Sequence, residues 1–262
     1  MTTLSFAVRD SSTMLRRNLL HMRRYPSMTL MLVGIPVVLL LLFVYVFGGT
    51  LGAGLGPSGG RAQYANYVTP GILLITVAGA AQGTAISVAM DMTEGIIARF
   101  RTMAIFRPSV LTGHVLGSLI QTLTSLAVVT GVALLVGFRP TANAIEWVAA
   151  IGVLAMISLA VIWFSVACGL VTKSVETASN LPMPLILLPF LSSGFVPTDS
   201  MPAVVRWFAD YQPFTPVIET LRGLLLGTAI GDNAVLAATW CAVISAASYL
   251  WARRLYNRED AR

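Results

Sequence analysis

Long stretches without a charged residue are the feature that most constrains this sequence. Residues 62–90 and 108–138 contain no Asp, Glu, Lys or Arg, and charged residues make up only 11% of the chain, whereas about 25% is usual in soluble domains. Each stretch is longer than the roughly 20 residues that a helix needs to cross the bilayer core. The stretches do not alternate between polar and apolar residues, as barrel strands would. The sequence therefore predicts an all-α polytopic membrane protein without a soluble domain.

The hydropathy pattern predicts six transmembrane helices within a domain at residues 28–252. An interfacial segment at residues 1–27 precedes this domain, and a cytosolic tail at residues 253–262 follows it. The first span is a full crossing long, so we expect an uncleaved anchor rather than a signal peptide. The predicted spans lie at about residues 28–47, 66–90, 111–137, 147–171, 178–196 and 233–251.

The fifth predicted span contains three prolines, Pro182, Pro184 and Pro189. Each proline removes a backbone hydrogen-bond donor and bends or breaks a helix. In lipid, the freed carbonyl groups must find partners on neighbouring helices, hydroxyl groups or water. Two interpretations remain open: a bent helix packed inside the protein, and a deformable helix beside a transport pathway.

The basic residues are concentrated on one side of the predicted spans. All but one of the 17 basic residues are arginines, and most lie in the N-terminal segment, between spans two and three, or after span six. The positive-inside rule therefore places both termini in the cytosol, with residues 48–65 and 197–231 outside. Topology accounts for the net charge of +6, so we expect no nucleic-acid partner. The arginine bias suggests a high-GC bacterial source and hence a bacterial cytoplasmic membrane.

Residues 4–24 have the pattern of an amphipathic helix that lies in the membrane interface. Apolar side chains between Leu4 and Met22 share one face, and arginines cluster on the neighbouring arc. Such a helix buries its apolar face among the headgroups and turns its guanidinium groups toward anionic lipid; a solvated tail is the alternative. The arginines of the predicted interfacial helix are Arg9, Arg16, Arg17, Arg23 and Arg24.

A charged, amphipathic stretch separates predicted spans two and three. Asp91 and Glu94 stand where a short helix would begin, and Arg99 and Arg101 fall toward its end. This order of charges suits the helix dipole. A short rigid helix on the cytosolic side is what a transmembrane unit needs to receive force from a soluble partner, and a helix that merely rests on lipid is the alternative. The apolar face of this predicted coupling helix comprises Ile96, Ile97 and Phe100.

Polar but uncharged residues are scattered through the second and third predicted spans. They can hold helices together through hydrogen bonds or line the path of an amphiphile, and we favour the first role. No predicted span has an ionisable residue in its middle, which disfavours a proton- or sodium-coupled secondary transporter. The candidate pathway-lining residues are Gln82, Thr84, Ser87, Gln121 and Thr124.

Residues 197–231 are too long and too apolar for a simple turn. They contain two short helical patterns separated by PFTP, and neither pattern is long enough to span a bilayer. We therefore predict a re-entrant pair of helices in the outer leaflet. Glu219 and Arg222 are spaced so that their side chains can pair on one helix face, and a weak surface ion pair is the alternative.

The sequence contains no catalytic constellation, metal-ligand spacing or nucleotide-binding loop. The two histidines, His21 and His114, are far apart and have no Cys or acidic residue at a metal-ligand spacing. Lys173 follows Ala167 and Thr172, which occupy the two positions where a phosphate-binding loop requires glycine. We expect no enzyme activity, cofactor or metal on this chain, and if ATP drives the protein, another chain must supply the ATP site.

Four stretches of the sequence resemble one family, in the same order. They are PVVLLLLFVYVFGG, YVTPGILL, EGIIARFRTMAIFRPSVLTGHVL and SSGFVPTDSMPAVVRWFADYQPFTPVIETLRGLLLG, between residues 36 and 228. Together they resemble type-2 ABC exporter permeases, in particular the daunorubicin-resistance permease group. Ala98 and the pair Ala104-Ile105 depart from the usual pattern, so we expect a correspondingly specific partner ATPase. By motif position the resemblance assigns docking on that partner to Glu94, Gly95, Arg99, Phe100 and Arg101, and Asp91, Ile96 and Ile97 complete the predicted docking surface.

The resemblance implies a half-transporter. In this family, two six-helix subunits form a dimer around a central path, and each docks on a separate ATP-binding subunit that holds ATP and Mg²⁺. The interfacial helix and the loop after span two form the docking surface, and re-entrant helices cap the outer side. We therefore expect the permease subunit of an ATP-driven exporter of hydrophobic drug-like or lipid-like molecules, as in multidrug efflux or antibiotic export. Export of a lipid-linked glycan or glycolipid is the alternative, and secondary transport is disfavoured.

Overall fold

The computed structural model describes residues 26–56, 60–95, 108–172 and 174–258. These residues form helices joined by turns, and no strand occurs among them. The first helix, α1 (Pro26–Leu41), continues through a π-helical segment (Leu42–Phe47) into α2 (Gly48–Ala53). The others are α3 (Arg61–Thr93), α4 (Pro108–Val136), α5 (Ala144–Val171), α6 (Val175–Asn180), α7 (Met183–Leu187), a 3₁₀ turn (Thr198–Ser200), α8 (Ala203–Tyr211), α9 (Phe214–Leu226) and α10 (Asn233–Arg258).

Within the described ranges, 5 helical segments are long and apolar enough to cross a membrane. They correspond to five of the six predicted spans, because a local run of apolar residues is enough to specify a spanning helix. The chain is therefore an all-α, multi-pass membrane protein, as the sequence predicts. The segments are Leu30–Ala53, Arg61–Thr93, Leu111–Val136, Ala144–Val171 and Asn233–Tyr256.

The predicted fifth span, residues 178–196, is not one continuous helix. Helix α6 ends at Asn180, α7 follows at Met183–Leu187, and turns continue to residue 195. Pro182 stands directly before α7, where its missing donor costs little. Pro189 cannot donate the bond that would prolong α7. The described residues form five continuous spanning helices, and the predicted fifth span is interrupted where its prolines lie. We define residues 174–196 as the broken segment.

The loop between the first two spanning helices is shorter than the sequence suggests. Helix α2 continues the first helix through residues 48–53, and α3 begins at Arg61 rather than at residue 66. Glycines allow α2 to pack closely on the start of α3, since a Cβ atom added to Gly52 would lie 2.5 Å from the carbonyl oxygen of Gly60. The helical hairpin is therefore tight at this end of the molecule.

Helix α5 begins with a capping box that precedes its apolar run. The side-chain oxygen of Asn143 accepts hydrogen bonds from the N–H groups of Ile145 and Glu146 at 2.9 and 3.0 Å. The Glu146 carboxylate accepts from the N–H of Asn143 at 2.7 Å. These bonds satisfy donors that a helix start leaves free, and they explain why α5 starts before the predicted span at residue 147.

Helix α3 is the most enclosed of the five spanning helices. It contacts α1, α4, α5, α6 and α9, and most of its apolar stretch is buried, whereas α1 and α10 are mostly exposed. Ile72 and Leu74 of α3 are fully buried in the core with Ile157 of α5 and Leu221 of α9. The other helices therefore pack around α3 and present apolar outer faces to lipid, which favours such faces as much as a protein interior does.

The broken segment lies along α3 and runs in the opposite direction. The carbonyl of Ser179 accepts a hydrogen bond from Gln82, and the carbonyl of Phe195 accepts one from Tyr64. At a rise of 1.5 Å per residue, Gln82 and Tyr64 are about 27 Å apart along α3. The broken segment therefore follows α3 over nearly the ~30 Å thickness of a bilayer core.

Candidate functional site

The irregular backbone of the broken segment needs hydrogen-bond partners, because no water is available in the hydrocarbon core. Gln212, between α8 and α9, donates from Nε2 to the carbonyl oxygens of Leu188 and Leu191 at 3.0 and 2.8 Å. The Tyr64 hydroxyl donates to the carbonyl oxygen of Phe195 at 3.2 Å. Side chains from α3 and from the α8–α9 turn therefore satisfy carbonyl groups in the part of the broken segment that is not helical.

Arg222 of α9 supplies further donors to the same region. Its residue is only 7% exposed, and Nη2 donates to the carbonyl oxygens of Ser193 and Tyr67 at 2.8 and 3.3 Å. The guanidinium carbon lies 4.0 Å from the centre of the Tyr67 ring, which adds a cation–π attraction. One buried side chain thus connects α9, α3 and the broken segment.

The Glu219 carboxylate accepts a hydrogen bond from Nη1 of Arg222. The two side chains pair as their spacing in the sequence predicts. They do not form a simple surface ion pair, because Arg222 is buried. Arg222 also donates to the carbonyl groups of Tyr67 and Ser193. These additional hydrogen bonds offset the cost of removing a charge from water. The pair is therefore part of an interior network.

Three polar atoms of this network lack a hydrogen-bond partner within the described part of the chain. They are Ser193 Oγ, Gln212 Oε1 and Arg222 Nε, and all three are buried. Unpaired polar atoms are costly in surroundings of low dielectric constant. Within the described residues, the network therefore retains unused hydrogen-bonding capacity beside the broken segment.

The candidate pathway-lining residues have different surroundings. Gln82 donates to Ser179 at 2.9 Å and so joins α3 to α6, and Thr84 donates to Ala80 one turn away on α3 at 3.0 Å. Thr124 is exposed and donates to Ile120 on its own helix at 2.8 Å. Ser87 and Gln121 are half-buried. Gln82 is thus the one of these residues for which a hydrogen bond to another helix is described here, and the pathway-lining role stays a prediction.

The C-terminal end of α3 differs from the sequence prediction. Asp91 does not begin a new helix, because α3 continues to Thr93. The Asp91 carboxylate instead lies 2.9 Å from Nε2 of His114 on α4. Glu94 follows α3 and is exposed, and Gly95 adopts a positive φ of 68°, a conformation that ends helices and favours glycine.

Several predicted site residues lie outside the described residues. This applies to most of the predicted coupling helix and to the whole predicted interfacial helix. The docking residues concerned are Ile96, Ile97, Arg99, Phe100 and Arg101, and the interfacial arginines are Arg9, Arg16, Arg17, Arg23 and Arg24.

The described residues contain no group of His, Cys, Asp and Glu side chains that could hold a metal ion. Asp91 and His114 form a pair rather than a ligand set, since a protein metal site commonly needs three or more ligands. The polar chemistry that these residues offer is therefore hydrogen bonding and charge pairing.

A helical fold with several membrane-spanning segments and buried polar ties between them defines a polytopic membrane protein. Residues 10–226 match the ABC-2 type transporter family, and the chain belongs to that family, as its motifs suggested. It is 29% identical to the daunorubicin resistance ABC transporter permease protein DrrB1 of Streptomyces coeruleorubidus over 225 residues, which cover 85% of this chain and 77% of the relative.

A second relative is the probable doxorubicin resistance ABC transporter permease protein DrrC of Mycobacterium tuberculosis. It is 25% identical over 160 residues, which cover 61% of this chain and 58% of that protein. Both relatives are named as permeases of ABC transporters, so the chain is a homologue of drug-resistance permeases.

Sequence reasoning missed three of the side chains that hold the site together. The sequence assigned no role to Tyr64, Tyr67 and Gln212. Tyrosines are common near membrane interfaces, so their presence predicts no particular contact. The prolines of the broken segment were the available signal, because each freed carbonyl requires a donor. The sequence does not show which donors reach them.

Proposed function

We propose that the chain is the permease subunit of an ATP-driven exporter of hydrophobic drug-like or lipid-like molecules. A separate ATP-binding subunit holds ATP and Mg²⁺ and powers export across the cytoplasmic membrane. The observation that carries the proposal is the match of residues 10–226 to the ABC-2 type transporter family. The two relatives named for daunorubicin and doxorubicin resistance support drug-like substrates.

In the proposed topology, the chain crosses the membrane six times and both termini are cytosolic. The broken segment is the fifth crossing in chain order, and its course along α3 between Gln82 and Tyr64 supports this role. The distribution of arginines orients the protein, with the Asp91 end of α3 in the cytosol and the Tyr64 end outside.

The proposed docking surface for the ATP-binding subunit comprises the interfacial helix and residues 91–107. The exposed position of Glu94 directly after α3 supports this assignment. Two copies of this chain and two ATP-binding subunits form the proposed transporter, an arrangement that the family resemblance implies.

Helices α8 and α9 form the proposed outer cap, and they differ in their exposure. Trp207 and Tyr211 of α8 are exposed, with their ring centres 5.5 Å apart, and such residues are enriched at membrane interfaces. Helix α9 contacts α3, α5 and α10. We therefore assign contact with the outer leaflet to α8 and the closing contact with the spanning helices to α9.

Expression of the chain together with its ATP-binding subunit in cells tests the proposed function. We expect doxorubicin to leave cells faster only when both proteins are present and the ATP-binding subunit is able to hydrolyse ATP. The purified chain alone should not hydrolyse ATP, because it has no phosphate-binding loop. Doxorubicin efflux that requires this chain but continues after ATP depletion would contradict the proposal and favour a secondary transporter.

A further inference from the structure

A buried polar pair joins the cytosolic end of α3 to the start of α4. Asp91 Oδ2 lies 2.9 Å from His114 Nε2, and the two side chains are 15% and 3% exposed. Their connection is not local, because residues 92–113 separate them along the chain. The intervening stretch contains residues 96–107, which are the main part of the proposed docking surface.

An apolar cluster borders this pair on both helices. Val88 lies one turn before Asp91, and Leu111 lies one turn before His114. Both belong to a core cluster that also contains Ile162 of α5 and Tyr256 of α10. Attraction between polar groups is weakly screened in such surroundings. Loss of either member therefore removes a tie that apolar packing does not replace.

We infer that Asp91 and His114 are positioning residues that fix the separation between the two ends of the docking segment. The inference rests on the proposed function, because it assigns these residues to the transfer of force from the ATP-binding subunit. Asp91 is in the last turn of α3, and His114 is in the second turn of α4. A displacement of the docking segment must therefore move both helices together instead of spreading their ends.

This role follows from the position of α3 in the fold. Helix α3 is the most enclosed spanning helix, and it carries the contacts to α9 and to the broken segment. A joint movement of α3 and α4 would therefore reach the network around Arg222. Asp91, the first residue of the docking surface, thus contacts α4 inside the permease, whereas the exposed Glu94 remains available to contact the ATP-binding subunit.

The first test measures coupling in the complex with the ATP-binding subunit. His114→Leu should still co-purify with that subunit, but the amount of doxorubicin exported per ATP hydrolysed should fall roughly fivefold or more, the lower range of coupling between distant sites. Exchanging the two residues, Asp91→His with His114→Asp, should restore a large part of the loss. Thr93→Ala is the matched control, because the Thr93 hydroxyl bonds only to carbonyl groups of its own helix.

The second test measures the geometry in the chain alone, in nanodiscs. Spin labels at Thr93→Cys and Leu116→Cys report the separation of α3 and α4, and the native Cys168 and Cys241 are buried and should escape labelling. The distance distribution should broaden in His114→Leu. A distribution like the parent's, or a parent-like ratio of export to hydrolysis, would overturn the inference. A parent chain that fails to assemble with an ATP-binding subunit would contradict the proposed function instead, and the distance distribution would still decide whether the pair fixes the helix ends.

Discussion

The backbones of Gly71 and Gly194 are in direct contact, and a Cβ atom added to Gly71 would lie 2.9 Å from the carbonyl oxygen of Gly194. Because neither residue has a side chain, α3 and the broken segment approach each other more closely than larger residues would permit. The contact holds the irregular backbone against the most enclosed helix. It thereby positions the carbonyl groups to which Gln212 and Arg222 donate.

Gly71→Ala should destabilise the protein, because the new methyl group has no space beside Gly194. Overpacking of this kind costs about 1–3 kcal/mol, and it should appear as a lower thermal unfolding midpoint in detergent. Gly83→Ala on the same helix is the control, since no atom lies within 4 Å of a Cβ atom built there. Equal midpoints for the two variants would show that the close contact does not contribute to stability.

Gln212→Leu should loosen the broken segment. The change removes the side-chain donor from the carbonyl groups of Leu188 and Leu191. The Leu188 carbonyl still accepts from the N–H of Leu191, whereas the Leu191 carbonyl loses the donor described here, and an unsatisfied buried polar group costs about 1–3 kcal/mol. Proteolysis or hydrogen exchange at residues 188–195 should increase. Thr239→Val is the control, because the exposed Thr239 bonds only to Val235 on its own helix, and this substitution should leave residues 188–195 as protected as in the parent.

Arg222→Lys should be more damaging than Glu219→Gln, although both changes are conservative in size. Lysine keeps the charge, but its single ammonium group lacks the planar set of N–H donors with which the guanidinium bonds to Glu219, Tyr67 and Ser193 at once. Complete removal of one partner from a buried pair costs about 3–5 kcal/mol, and Arg222→Lys should lose part of this because several donors are lost, whereas Glu219 is 29% exposed and glutamine retains an acceptor. We expect a larger fall in the unfolding midpoint and in transport for Arg222→Lys, and the reverse order would contradict this account of the network.

Cysteine accessibility should reveal the orientation of α3. A membrane-impermeant maleimide added to intact cells should label Gly60→Cys, at the start of α3, but not Thr93→Cys at its end. The positive-inside distribution of arginines is the physical reason, and the buried Cys168 and Cys241 give a low background. The opposite pattern would invert the proposed topology.

Arg101→Glu should weaken assembly with the ATP-binding subunit. Reversing a paired charge that the interface buries costs about 2–5 kcal/mol, and a charge at the rim costs far less. Co-purification of the two subunits should fall, while the amount of permease inserted in the membrane should not change, because no spanning helix is altered. Arg254→Glu, on the exposed side of α10, is the control for added negative charge, and equal losses for both variants would contradict a specific docking role.

The sequence by itself determined the class of protein and the position of five spanning helices. Hydropathy is a property of each local stretch, and about 20 apolar residues suffice to specify a crossing. The motifs between residues 36 and 228 were likewise local, so the family resemblance could be read from them. The spacing of Glu219 and Arg222 also predicted that their side chains could pair, because residues three positions apart in sequence are neighbours on a helix face.

Only the tertiary structure decided what surrounds each helix. All spanning sequences look alike in composition, because lipid is as apolar as a protein core, so the enclosure of α3 could not be read from its residues. The course of the broken segment depends on Gly71 and Gln212, which lie far from it in sequence. Likewise, the sequence could not show whether Asp91 begins a coupling helix or lies near the end of α3, because its charge suits either position. Only the packing of α4 against α3 brings His114 to the Asp91 carboxylate.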